Sequence, residues 1–471
     1  MTINSKHSLP PEHLLACPNC YAGVNEGLNI NEHTCAHCES SFFHLDGVPC
    51  WFDCGQDQKI VWEHHLAVTQ QKAEQNTQAM LQATQSPFTL KSSDTRIKNM
   101  QKASEQSANA VSKILQDSGL TPKMHDMLPP EDAGLFANYF ELMHRDWGWH
   151  NNTSEKFEDE NIKQFELLKS ITQNTFKDSK IGHVLVIGGG AGRLAYEFHQ
   201  FFNPQSTTVL DINPLLVQSA HQVIHNHKEI QLDEVRKYPQ TEVDPSFSRT
   251  LKLPAEHKAC ENLFFMVADA YNAPFKQQQF DLIITPWFVD VVGVDIKKTM
   301  GVIHSLLKPD AHWINFGPLL YLDSMEFNYK YHQKEILELL NCLDMNLIDQ
   351  KSEVMPYSLS PDDQRQRLEQ IWCFSAQISN QSFETLSNQT FKNAKDVDLP
   401  KWALFTHLPI PAYNMAQQSH PVLQSIVEQI DGQTSADEVA LMLEGKLPNH
   451  LNPSEVVCTL ILDNILNAEN Q

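Results

Sequence analysis

The stretch His183-Val-Leu-Val-Ile-Gly-Gly-Gly-Ala-Gly-Arg-Leu-Ala195 decides the fold. An apolar run feeds four glycines and then an apolar-periodic segment, which is the pattern of a strand that turns through a ligand-binding loop into a helix N-terminus. Such a turn belongs to an α/β sheet that holds a nucleotide-like group outside the carboxyl ends of its strands. It points to an enzyme.

Two glycine spacings coexist in this loop. Gly190-Ala-Gly192-Arg-Leu-Ala195 satisfies a dinucleotide fingerprint, and Gly188-x-Gly190-x-Gly192 equally satisfies the loop of S-adenosylmethionine enzymes. The residues that follow separate the two readings. Thr207-Thr-Val-Leu-Asp211 reads as a β-branched second strand ending in a carboxylate suited to ribose hydroxyls, which both readings require. Leu263-Phe-Phe-Met-Val-Ala-Asp269-Ala270 reads as a third strand whose terminal acid can accept from an adenine amino group. Phe280 to Phe288 reads as a fourth strand opening through Pro286 into a polar and aromatic rim. This ordered set fits a class I, Rossmann-like methyltransferase core better than a dehydrogenase, with S-adenosyl-L-methionine as the expected cofactor. No Gly-Lys-Ser/Thr follows the glycines, so nucleotide hydrolysis is disfavoured.

The chain of 471 residues exceeds what one core usually serves, and its 41% hydrophobic content supplies enough apolar surface for two or three domains. The expected divisions are a zinc ribbon over 10–60, a helical region over 61–178, the methyltransferase core over 179–385 and a small helical, winged-helix-like module over 400–471. A formal charge of -23 opposes a phosphate backbone as the main partner, so nucleic acid is not expected. Membrane association is not expected either, because no stretch approaches the length of a spanning helix and Met1 to Ser8 lacks the apolar core of a secretion signal. A cytoplasmic location is therefore expected, where ten cysteines read as thiols or metal ligands.

Cys17-Pro-Asn-Cys20 and Cys35-Ala-His-Cys38 are separated by fourteen residues. Each pair can wrap one side of a tetrahedral ion, so Cys17, Cys20, Cys35 and Cys38 form a candidate structural Zn2+ site, with a redox role for either pair left open. Cys50 and Cys54 receive no role. The polar run Gln70 to Ile114 reads as helix broken near Pro87, and Thr121 to Pro130 as a loop. In Tyr139-Phe-Glu-Leu-Met-His-Arg145-Asp146-Trp147-Gly-Trp149, the ion pair beside two tryptophans is either a helix end packing through its aromatics or a cover on the substrate side. Asn161 to Thr175 reads as an amphipathic helix. Asn226 to Lys258 reads as a surface excursion outside the core. Pro309 to Tyr321 suggests a turn and a fifth strand, Lys334 to Cys342 a helix, and Ile371 to Ala376 a late strand. The last seventy residues carry three helical patterns, the middle one capped by Thr434 or Ser435. Their acidity leaves a peptide-docking role, a lid, or simple packing.

The core resembles the carnosine N-methyltransferase (N2227-like) family of S-adenosylmethionine-dependent enzymes over roughly residues 135–380. The resemblance rests on Arg145-Asp146-Trp147, Val184 to Ala195, Trp287-Phe-Val-Asp290, Ile303 to Pro309 and Trp313-Ile-Asn315-Phe-Gly317-Pro318-Leu-Leu-Tyr321. It implies that the glycine loop binds the cofactor, with Arg145, Trp147, Gly188, Gly190, Gly192, Arg193, Asp211, Asp269, Ala270 and Pro286 as its contacts, and that Asp290 contacts a substrate imidazole. Members commonly carry a histidine directly after the Pro-Leu-Leu-Tyr segment. Leu322 stands there in this chain, which removes a polar substrate contact. The cysteine pairs resemble a Trm112-like zinc ribbon, and the closing module is weakly similar to a PqqD-like peptide-binding domain.

Methyl transfer from a sulfonium needs a neutral nucleophile lined up opposite the departing sulfur, so positioning and exclusion of water carry most of the catalysis. Asp290 could accept from the far nitrogen of an imidazole and leave the attacking lone pair free. Tyr321 and Tyr357 are the other candidate catalytic residues, as rim contacts, while Trp287 and Phe288 could flank the methyl donor; ordinary packing explains these aromatics as readily. Asn315 could face either way. Asp281 is read as supporting strand geometry, and His304 and His312 as helix-surface and strand-edge residues without a role. The favoured reading is an N-methyltransferase acting on a small-molecule or peptide acceptor, on a histidine-like nitrogen, with a further protein or peptide partner possible through the closing module. An inactive methyltransferase-like assembly protein and an O- or protein methyltransferase remain alternatives.

Overall fold

The computed structural model describes residues 9–469 apart from 54, 129–139, 152–158, 178, 237–244, 256–259, 362–366, 380–389, 393–397, 414–420, 444–446 and 448–451. Cys54, Tyr139 and Pro130 of the sequence reading lie outside the described residues. The chain divides into two compact units. The first comprises 1–288, 314–318 and 349–375, and the second comprises 289–313, 319–348 and 376–471.

The first unit opens with two short hairpins, β1 (Leu28–Asn29) with β2 (Thr34–Cys35) and β3 (Phe43–Leu45) with β4 (Val48–Cys50), both antiparallel. Two long helices follow, α1 (Gly55–Gln85) and α2 (Lys91–Asp117), separated where Pro87 interrupts the helical run. Their apolar residues Trp62, Leu66, Val111, Ile114 and Leu115 are buried in the unit's core, together with the polar His64, His65, Thr69, Ser107 and Ser112. After α3 (Phe140–Trp147), α4 (Glu160–Phe176) starts from Asp159, whose carboxylate accepts the Asn161 N–H.

The central sheet then builds through β5 (His183–Ile187), α5 (Arg193–Phe202), β6 (Ser206–Asp211), α6 (Pro214–Ile224), the hairpin β7 (Ile230–Val235) with β8 (Ser246–Leu251), β9 (Leu263–Val267) and β10 (Phe280–Pro286). It continues through α7 (Ile296–Leu306), β11 (Leu307–Gly317), α8 (Gln333–Cys342), β12 (Met345–Pro356) and β13 (Leu368–Ile378). The order across the sheet is β12-β13-β11-β10-β5-β6-β9-β4-β3, with β5, β6, β9 and β10 parallel. From β5 the chain steps outward one way through β6 and β9, and then the other way through β10 and β11. That reversal between β5 and β10 opens a crevice at their carboxyl ends, where the glycine loop and Trp287 emerge. Leaving β3 and β4 aside, the order is that of a class I methyltransferase core.

The structure departs from the sequence reading in several places. The described parts of the 226–258 segment are not a surface excursion: they form the paired strands β7 and β8, whose Ile230, Leu232 and Leu251 are buried in the core. Pro309 lies inside β11 and makes no turn before it. β12 has no counterpart in the sequence reading. His304 is buried on α7 and is not a surface residue; burial lowers its imidazole to about 4, against the opposing pull of Asp344. Asp281 does support the strands, accepting the His183 N–H at 2.7 Å, and Asn315 is buried, accepting the Thr285 hydroxyl at 3.0 Å.

In the second unit α7 is capped by Asp295, and α8 begins with a reciprocal cap between His332 and Glu335. The chain goes on to the β14 (Thr390–Lys392) and β15 (Asp398–Pro400) hairpin, α9 (Lys401–Leu404), α10 (Pro421–Glu428), α11 (Ala436–Ala440) and α12 (Pro453–Glu469). Ser435, not Thr434, caps α11, exchanging hydrogen bonds with Glu438. The buried Lys401 ammonium meets Asp344 at 2.8 Å, and Tyr329 donates to Glu455 of α12 at 2.7 Å. Among the described residues no helix is long and apolar enough to cross a membrane.

Candidate functional site

Directly after β5, the Gly188 N–H donates to the Leu210 carbonyl at 2.8 Å, which turns the chain over the end of β6. Gly190 has φ +57°, and a Cβ built on it would meet nothing within 4 Å, so this side of the loop is open. Gly192 has φ +86°, and a Cβ there would lie 2.9 Å from the Phe265 ring and 3.2 Å from Ala220. One glycine keeps the loop open to an approaching group, and the other lets α5 close on the sheet. Asp211, at the end of β6, accepts the Gly190 N–H at 2.8 Å and the Asn213 N–H at 2.9 Å. Burial pushes its carboxyl upward, against the pull of these N–H donors.

The Arg145-Asp146-Trp147 segment braces this loop from α3. The buried Trp147 indole donates to the Ala191 carbonyl at 2.7 Å, and Asp146 accepts the Arg193 N–H at 3.3 Å. The Arg193 guanidinium reaches back to the Asp146 carbonyl at 2.9 Å and to Glu197 at 2.7 Å. Arg145 pairs with Asp146 at 2.6 Å and approaches Glu160 at 3.8 Å. Glu160 in turn accepts the N–H groups of Ser358 and Leu359 at 3.1 and 3.0 Å, tying α4 to the segment after β12. Trp147 and Arg193 therefore act on the loop through its backbone, as supports. The sequence reading had this segment as a packed helix end or a cover on the substrate side.

On the other wall of the crevice, Trp287 leaves β10 with φ +45° and donates its backbone N–H to the Phe316 carbonyl at 2.7 Å. Its indole N–H goes to the buried Glu369 at 3.1 Å. Its ring lies 4.9 Å from Phe316, 5.5 Å from Tyr357 and 5.9 Å from the Arg145 guanidinium. Arg367 covers Tyr357 at 4.6 Å and pairs with Glu369. Burial raises the Tyr357 phenol despite nearby Arg145, so it stays protonated. Phe288 packs over Gly188 and stacks loosely on Tyr271, while Pro286 is buried at the strand end. Asp269 accepts the Tyr271 N–H at 2.9 Å, and Ala270 is buried in the same turn. Glu160, Glu369 and Arg367 escaped the sequence reading. For Glu160 the one available signal was its place in the first turn of a helix capped by Asp159.

In the second unit Asp290 is 1% exposed and accepts the Leu320 N–H at 2.8 Å, so it holds the loop after β11. Tyr321, in that loop, is half-buried, and its phenol is raised by burial and by the charges of Asp290 and Asp295. Tyr331 donates to Asp295 at 3.2 Å. Leu322 is exposed over about two-fifths of its surface, at 42%, and borders Gly293.

Near the N-terminus the sulfurs of Cys17, Cys20, Cys35 and Cys38 all lie within 4.8 Å of one another. The Cys17–Cys38 and Cys20–Cys35 pairs are 3.5 and 3.6 Å apart. The two knuckles are built alike: Tyr21 and Glu39, each directly after the second cysteine of its pair, take φ of 57° and 61°. Burial disfavours the Cys38 thiolate, yet the Ser40 hydroxyl and N–H and the neighbouring thiols bring it down to about 6, whereas burial pushes Cys17 up. Cys50 lies apart, buried in β4.

A family model described as carnosine N-methyltransferase matches residues 132–375, which contain the glycine loop, its brace and the aromatic rim. Carnosine N-methyltransferase of Dictyostelium discoideum is 28% identical over 202 residues, covering 40% of this chain and 43% of that protein. The Mus musculus protein of the same name is 29% identical over 176 residues, covering 33% and 40%. The chain thus spans about two-fifths of the length of the curated relatives it matches. Among solved structures, magnesium protoporphyrin IX methyltransferase from Synechocystis PCC 6803 aligns with a TM-score of 0.35 at 12% identity, over 53% of this chain and 97% of that one.

Proposed function

The chain belongs to the carnosine N-methyltransferase family, and from that membership we propose that it is an S-adenosyl-L-methionine-dependent N-methyltransferase whose acceptor is an imidazole nitrogen of a small molecule or peptide. The observation that carries the reading is the open glycine loop, with the Gly190 N–H held by Asp211 and the loop braced from α3. An added side chain at Gly190 would fill the space where a ligand approaches.

When bound, S-adenosyl-L-methionine supplies an electrophilic methyl group. Asp211 is the acceptor for the ribose hydroxyls, Asp269 for the adenine amino group, and Arg145 is the cation beside the loop. Asp290 takes the N–H of the acceptor ring, so the opposite nitrogen keeps its lone pair, and the positive charge that develops on the ring is stabilised by a buried carboxylate. Tyr321 and Tyr357, both kept protonated, donate hydrogen bonds at the rim and help exclude water.

The four thiolates fit zinc. In a tetrahedral four-sulfur site with Zn–S bonds of about 2.3 Å, the sulfurs stand roughly 3.8 Å apart, and no ligand position is left open for catalysis. The metal's role is to hold a segment that owns little core.

Incubation with S-adenosyl-L-methionine and, separately, carnosine, histidine and histidine-containing peptides, followed by mass analysis, tests the reading. Gain of one methyl group on an imidazole supports it. Transfer only to oxygen or to protein side chains other than histidine overturns the acceptor, and cofactor binding without any transfer overturns the activity.

A further inference from the structure

The cysteine ribbon is fastened to the central sheet at two places that bracket the turn carrying Asp269. On one side β4 runs parallel to β9, with Cys50 beside Val267, and the Trp51 N–H donates to the Val267 carbonyl at 3.0 Å. On the other side Leu14 to Ala16, directly before the ligand Cys17, forms an antiparallel bridge with Phe275. There the Ala16 N–H donates to Pro274 at 3.0 Å and the Leu14 carbonyl accepts from Lys276 at 2.8 Å. Leu14, Leu15, Ala16, Cys17 and Trp51 are fully buried. Between these straps lie Ala268, whose N–H donates to the Asp211 carbonyl at 3.2 Å, and Asp269, which caps the turn. Asn272 in this turn also donates to Asp53, just beyond β4, at 3.3 Å.

We propose that the metal-held ribbon is a positioning element for the cofactor site: it fixes the Ala268–Pro274 turn, so that metal occupancy is coupled to affinity for the adenosyl group. This rests on the reading of Asp269 as the adenine acceptor. The physical argument is local. The β1–β2 hairpin between the two knuckles has two-residue strands and lies outside the central sheet, so it and the flanking straps depend on the ion to stay closed. When they loosen, the Asp269 turn loses its partners on both flanks while β5, β6 and the glycine loop keep theirs. Binding must then order the turn, and that cost appears as weaker affinity.

The test uses the full chain and S-adenosylhomocysteine measured by titration calorimetry, in zinc-loaded and chelator-stripped protein. Stripping is expected to raise Kd about tenfold. Asp269→Ala is expected to raise Kd in loaded protein and to add much less in stripped protein. Hydrogen exchange supplies a readout independent of binding: amides of 268–276 lose protection on stripping while those of 183–187 keep it. Ala16→Pro, which removes one strap donor without touching a ligand, is expected to keep its zinc and still bind more weakly. Equal affinity and equal protection of 268–276 with and without zinc overturn the coupling. If Asp269→Ala leaves Kd unchanged in loaded protein, the adenine assignment fails, and the inference with it.

Discussion

Gly190 and Gly192 share a left-handed backbone, yet substituting them should have different consequences. Alanine at Gly190 has room, so its cost is the conformation alone, roughly 1–2 kcal/mol, while its methyl group occupies the ligand side. Alanine at Gly192 adds overlap with Phe265 and Ala220, a further cost of about 1–3 kcal/mol. Denaturant melts and S-adenosylhomocysteine titrations are therefore expected to separate the pair, with Gly190→Ala losing mainly affinity and Gly192→Ala mainly stability. Both glycines and the acids at 211 and 269 were legible in the sequence because a tight turn and a strand-end carboxylate demand particular residue types. Glu160 and Glu369 were not, since their burial is explained by partners far away in the chain, Ser358 and Leu359 for Glu160 and Trp287 for Glu369. A third residue-scale effect concerns pH. The buried His304 has its imidazole lowered to about 4 by burial, so the unfolded chain takes up a proton near pH 6.5 while the folded one does not. Its contribution to stability is present above pH 6.5 and is lost as pH falls toward 4, at about 1.4 kcal/mol per pH unit. His304→Phe is expected to flatten the acid limb of the melting temperature against pH. An unchanged slope would show that the ring is protonated in the fold. Asp211 and Glu160, pushed up by burial, act with the opposite sign, which is why the difference between variant and parent is the quantity to read.

At the scale of elements, α3 is a short helix whose stability depends on what it grips. Trp147→Phe keeps most of the ring and removes the donor to Ala191, leaving a buried carbonyl unmet at a cost of roughly 1–3 kcal/mol. The expected result is a several-fold rise in the S-adenosylhomocysteine Kd, and a Kd equal to the parent's would mean that the loop holds its shape without the brace. Sequence periodicity located α4, α8 and the strands β5, β6, β9 and β10, because each buries one face or both. It failed for β12, whose residues are mostly exposed on both faces and so lack alternation. It failed again for β7 and β8, where polar residues outnumber the few that reach the core. The pairing of β4 with β9 is carried by backbone groups, which leave no mark on side-chain choice.

For the whole molecule, a charge of -23 sets a background of self-repulsion. Raising ionic strength from low to physiological is expected to raise the melting temperature in calorimetry, since screening weakens repulsion while the buried pairs are little affected. The same acidity agrees with a ligand smaller than a nucleic acid. The sequence-level division into ribbon, helices, core and closing module follows composition, whereas contacts divide the chain by which segments touch. The join between β4 and β9 also bears on how the polypeptide is made. Cys50 leaves the ribosome long before Val267 does, and at ordinary synthesis rates the gap is roughly ten to forty seconds. A zinc ion captured early would keep the nascent ribbon closed through that wait, so one edge of the sheet is built from a piece that was finished first.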